Sequence, residues 1–67
     1  MDEERFGRRV RAFRKLKRLQ QADLAKRLSI SSSLLGRIER GERVPDIELI
    51  EKIAEQLEVN IQELIGA

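Results

Sequence analysis

The residues of this chain best suited to polar chemistry cluster at one spacing: Ser32, Ser33, Gly36, Arg37 and Arg40. At roughly 100° per residue these positions share the outer arc of one helix, while Leu35 and Ile38 turn to the opposite side. Hydroxyls and guanidiniums donate hydrogen bonds, and the guanidinium brings a charge that persists at any ordinary pH. The chemistry on offer is recognition of an anion. A helix with a small, polar outer face and arginines toward its end can lie against DNA. Gln21, at the start of the preceding helix, adds an amide donor beside backbone N–H groups that lack intrahelical partners, an end where a phosphate can be held.

Five helices must position these groups. The first is predicted to follow Asp2 as N-cap, with Glu3 and Glu4 in its first turn and an apolar stripe of Phe6, Val10, Phe13 and Leu16 or Lys17. Its outer positions Arg5, Arg8, Arg9, Arg11, Lys15, Lys17 and Arg18 are basic. Gly7 inside it costs about 1 kcal/mol relative to alanine, which close packing against another helix would explain. The second helix is predicted from Gln20 or Gln21 to Leu28, burying Leu24, Ala25 and Leu28. A turn at Ser29–Ile30 leads to the third, capped by Ser31 and ending before Gly41, which is expected just past the helix with positive φ. After the loop Glu42–Pro45, Asp46 caps a fourth helix with Ile47, Ile50, Ile53, Ala54 and Leu57 at helical spacing and Leu49 close by. Asn60-Ile61-Gln62-Glu63 has the form of a capping box, so a short fifth helix spans Ile61–Ile65 and ends at Gly66. No strand pattern interrupts the series. The expected fold is an all-α bundle of five helices forming one domain over residues 1–67.

Composition fits a small helical domain. The chain has 67 residues, 39% of them charged and 40% hydrophobic, and its only aromatics are Phe6 and Phe13, so the core must be aliphatic. The absence of Cys and His excludes disulfides, thiolate chemistry and the usual zinc sites. There is also no phosphate-cradling glycine loop and too little chain for an enclosed pocket, so an enzyme is not expected, nor a cofactor or small-molecule ligand. No run of apolar residues is long enough to span a membrane, and the Asp2-Glu3-Glu4 start does not resemble a secretory signal. A cytoplasmic protein is expected. The net charge of +2 conceals an asymmetry: +5 over residues 1–18, +2 over 19–43 and −5 over 44–67. One surface suits a polyanion and another turns away from it, although charge runs of this kind also serve as plain solvated faces.

Phe6, Gly7, Val10, Phe13 and Arg14, then Leu19, Gln21 and Leu24-Ala25, then Ile30-Ser31, Leu35, Ile38-Glu39, Gly41 and Pro45 form a pattern at fixed spacings. In this pattern the chain resembles the phage repressor and Cro-like helix-turn-helix family, the XRE-type transcriptional regulators of bacteria and phages. The likeness runs from Phe6 to Leu64. It implies a compact lambda-repressor-like fold whose second and third helices form the helix-turn-helix, and a sequence-specific DNA-binding regulator, in the simplest case a repressor.

Carried over position by position, the resemblance implies an ion pair of Arg14 with Glu39 that joins the first helix to the end of the third. It implies DNA contacts from Gln20 and Gln21 at the second helix and from Ser31, Ser32 and Ser33 at the start of the recognition helix. Arg37 is expected to make a bidentate contact to a guanine edge, and Arg40 and Arg43 are expected on phosphates. The partner implied is double-stranded DNA, bound as a homodimer on two half-sites. The apolar C-terminal positions Val59, Ile61, Leu64 and Ile65 serve core closure and, as an alternative, a patch for a second copy. Three positions depart from the family. Arg18 and Ser29 stand where it often has glycine, which implies mild strain if their φ is positive. Gly36 replaces a polar side chain, leaving the reading face unusually short. The alternatives are a protein-interaction module that has kept the fold, or an antitoxin or the DNA-binding fragment of a larger regulator.

Overall fold

The structure, a computed structural model, describes residues 1–66. Its elements in order are α1 (Glu3–Leu16), α2 (Gln21–Arg27), α3 (Ser32–Glu39), α4 (Ile47–Leu57) and α5 (Ile61–Ile65), with no strand among the described residues. Helix starts follow the sequence signals. The amides of Arg5, Leu34 and Leu49 donate to the side chains of Asp2 (3.0 Å), Ser31 (3.0 Å) and Asp46 (2.9 Å), so each of these caps satisfies an amide that the helix cannot. At α5 the Glu63 carboxylate accepts from the Asn60 amide at 2.9 Å, the reciprocal half of a capping box. Asp23 does the same for Gln20 at α2, again at 2.9 Å.

Four helices end in one device, in which a residue of left-handed conformation sends its N–H three residues back and the next N–H reaches five residues back. The left-handed residues are Arg18 (φ 59°), Ser29 (φ 58°), Gly41 (φ 76°) and Glu58 (φ 58°). For α2 the bonds are Ser29 N–H to Lys26 C=O at 3.1 Å and Ile30 N–H to Ala25 C=O at 3.0 Å. The residue after the turn is apolar in three of the four, Leu19, Ile30 and Val59, and packs against the core. Ser29 is exposed, and a β-carbon in this conformation costs roughly 1–2 kcal/mol, partly offset because glycine is floppier when unfolded. Ser29→Gly is therefore expected to stabilise the domain by about 0.5–1 kcal/mol and to raise Tm by several degrees in a thermal melt. An unchanged or lower Tm would refute the strain assigned to this turn.

The core is aliphatic apart from Phe6: Val10 from α1, Leu24, Ala25 and Leu28 from α2 and its end, Leu35 and Ile38 from α3, Ile50, Ile53, Ala54 and Leu57 from α4, and Leu64 from α5. Val59, Ile61 and Ile65 are half-buried against it, so the C-terminal apolar residues close the core. Two positions expected on apolar stripes are not covered. Leu16 is 76% exposed, because ten residues after Phe6 it lies roughly 80° round the axis on the side away from Val10. The stripe continues instead through Phe13 and the buried Arg14. Ile47 keeps the register of the α4 stripe but opens the helix, before it reaches the core, and is 58% exposed.

Candidate nucleic-acid interface

The interface is organised by the crossing of α1 over the C-terminal end of α3. Gly7 makes that crossing possible: a β-carbon there would meet the carbonyl oxygens of Ile38 and of Glu39, the latter at 2.6 Å. With the backbones this close, Arg14, two turns further along α1, reaches Glu39 with both arms. Its Nε donates to Oε2 at 2.7 Å and its Nη2 to Oε1 at 3.0 Å, while Nη1 donates to the Leu19 carbonyl at 2.9 Å. Both residues are buried, and no buried side-chain nitrogen or oxygen among the described residues lacks a partner. The ion pair is thus a fully satisfied network, the condition under which buried charge is tolerated.

Gln21 belongs to the same network. It is half-buried at the first position of α2, and its Nε2 donates to Glu39 Oε1 at 3.2 Å. One carboxylate therefore fixes α1, the N-terminus of α2 and the end of α3 relative to one another. Gln20 is exposed just before it, as the N-cap of α2.

On α3, Ser31, Ser32, Ser33 and Arg37 are exposed. The Ser31 hydroxyl is turned back as the cap, whereas Ser32 and Ser33 stand at the first two helical positions with backbone amides that the helix does not use. Arg37 and Arg43 are in no ion pair among the described residues. Arg40 donates to Glu42 through Nε at 3.0 Å and Nη2 at 3.4 Å. These hydrogen bonds, with the charge attraction behind them, hold the Glu42 carboxyl below its usual range and push the Arg40 guanidinium further up. Arg40 is exposed, so the pair is weak and Arg40 can be taken over by another anion.

Gly36 corrects the expectation of an outward-facing position. By angle it lies on the outer arc, yet it is buried, because the Gln21 amide and the Arg40 guanidinium lie over it. Sequence reasoning also missed the Gln21–Glu39 bond and the Glu42 partner of Arg40. Spacing carried the signal for a third omission, Arg8 and Arg11. Stepping back from Arg14 by threes reaches Arg11 and then Arg8, each further round α1 from the buried pair, and both line an open cleft with Gln21, Gly36, Glu39 and Arg40.

The sequence and the fold are shared with known proteins. A family model described as helix-turn-helix (HTH_3) matches residues 10–64. A Bacillus subtilis (strain 168) protein named as the uncharacterized HTH-type transcriptional regulator YazB is 50% identical over 64 residues, 96% of this chain and 93% of that protein. The restriction-modification controller protein C.AhdI from Aeromonas hydrophila superposes with a TM-score of 0.89 at 36% identity, over 94% of this chain and 96% of that one. SinR, a master regulator for biofilm formation solved in complex with DNA, superposes with a TM-score of 0.85 at 31% identity, over 91% and 98% of the two chains. Among the described residues no helix is long and apolar enough to cross a membrane. The chain belongs to the helix-turn-helix family of DNA-binding transcriptional regulators.

Proposed function

We propose that this protein reads a specific sequence of double-stranded DNA by placing α3 in the major groove, and that it acts as a repressor in the cytoplasm. The observation that carries the reading is the exposed arc of Ser32, Ser33 and Arg37, in which Arg37 is in no ion pair among the described residues and can offer both arms of its fork to a guanine edge. Gln20 and Gln21 at the start of α2, Ser31 beside the first amides of α3, and Arg40 and Arg43 at its far end flank that arc and suit backbone phosphates, which fix register. Repression then needs only occupancy, since a domain seated in the groove excludes other proteins from the same stretch. No cofactor or metal enters this reading.

A unit of this size covers little DNA, which favours two copies of the 1–67 domain on half-sites about one helical turn apart. Selection from random duplexes should accordingly enrich a two-fold symmetric motif containing guanine. Arg37→Ala should lower affinity for that motif by roughly tenfold to a hundredfold while leaving binding to random DNA nearly unchanged. Failure to enrich any motif would remove sequence-specific reading. Absence of salt-dependent DNA binding would favour a protein-interaction module instead.

A further inference from the structure

The cleft between α1 and the α2–α3 pair is lined by Arg8, Arg11, Gln21, Gly36, Glu39 and Arg40 and encloses about 330 Å³. Its charges are strongly one-sided. Glu39 is already neutralised by Arg14 within the buried network, and among the described residues the other carboxylate paired at its edge is Glu42, on Arg40. Arg8 and Arg11 are exposed and in no ion pair among the described residues. Arg8, whose charge acts on the exposed Asp2 carboxylate at the start of α1, together with Arg11 and with Arg40, which is held only by an exposed and therefore weak pair, concentrates positive charge that a bound anion would offset. The floor of the cleft is Gly36. A β-carbon there would stand 3.0 Å from Arg40 Nη1 and 3.4 Å from Gln21 Nε2, so the missing side chain lets these two donors lie low and leaves space above them.

We propose that Arg8 and Arg11 of α1, with Gln21 and Arg40, form a seat for a backbone phosphate of the bound duplex, with Gly36 as its floor. This rests on the DNA-binding reading above and extends it to α1. The short start of the reading face fits such a seat: with Ser32 and Ser33 there instead of long side chains, the first turn of α3 can approach the groove closely, which brings the flanking strand toward the edge of α1. Arg40 then exchanges Glu42 for the phosphate, and Gln21 offers the amide hydrogen that Glu39 does not use.

The test is the salt dependence of duplex binding, measured as the slope of log K against log salt concentration. In this relation each neutralised phosphate contributes about 0.9 to the slope. The Arg8→Gln/Arg11→Gln variant is expected to fold with unchanged Tm, because both side chains are exposed, and to lower the slope by about 0.9 on selected and random duplexes alike. A control, Lys17→Gln/Lys52→Gln, removes the same charge elsewhere and should leave the slope near the wild-type value. A wild-type slope in the arginine variant would overturn the seat while leaving DNA binding in place. So would an equal fall in the control, which would mean that bulk charge alone is read. If the wild-type protein itself shows no salt-dependent binding, the DNA-binding reading fails first, and the seat with it.

Discussion

Glu39→Ala is expected to destabilise the domain by roughly 3–5 kcal/mol, the cost of breaking a buried ion pair from one side. Total stability for a chain of this size is about 3–10 kcal/mol at 0.05–0.15 kcal/mol per residue, so the variant should be largely unfolded or melt far below the wild type. The magnitude follows from what is left behind. Arg14 would keep the Leu19 carbonyl but lose both carboxylate contacts, leaving a buried guanidinium with two unmet donors. Gln21 would lose its acceptor at the same time. Circular dichroism melts of Glu39→Ala and of the double variant Arg14→Met/Glu39→Leu separate the two sources of cost. If the penalty is an unpaired charge and not a loss of packing, the double variant should recover most of the stability. A Glu39→Ala protein that melts with the wild type would show that the pair carries no weight.

Much of this site was legible in the sequence, and for identifiable reasons. Asp2, Ser31, Asp46 and Asn60 announced the helix starts because capping is a local reaction between a side chain and an amide three residues on. The strained turns at Arg18 and Ser29 were legible as departures from glycine, but Glu58 was not, because no expected glycine drew attention to it. Arg14 and Glu39 were assigned through the family pattern, since periodicity alone would place two charged residues outside. Leu16 and Ile47 failed for the opposite reason. Both are apolar and near the stripe, but Leu16 lies roughly 80° round the axis from Phe6 on the side away from Val10, and the burial of Ile47 depends on where the neighbouring helices end, which a one-dimensional spacing does not contain. Gly36 shows the same limit at the site itself. Its angle on α3 was read correctly, and what covers it, the Gln21 side chain from another helix, is a tertiary fact. The place of Arg8 and Arg11 at the edge of a cleft was hidden similarly, because a basic stripe reads as a solvated face until the element beside it is known.

Gly7→Ala gives the second large effect and pits local propensity against tertiary contact. Inside a helix, alanine is favoured over glycine by about 1 kcal/mol, so propensity alone expects a modest rise in Tm. The structure expects the reverse. The new methyl would stand 2.6 Å from the Glu39 carbonyl oxygen and be pressed against that of Ile38, and both are backbone atoms that no rotamer change can move aside. To admit it, α1 and the end of α3 must separate. That separation also stretches the 2.7 Å and 3.0 Å contacts between Arg14 and Glu39. The net cost should be about 2–3 kcal/mol, at the upper end of ordinary overpacking, and Tm should fall by roughly 10–20 °C. DNA binding should weaken further than the folded fraction accounts for, because α3 is positioned for the groove through this crossing, whereas Ser29→Gly should leave binding by the folded protein unaltered. A Tm that rises for Gly7→Ala would mean that α1 can lift from α3 without penalty. The crossing would then not be what holds the recognition helix in place.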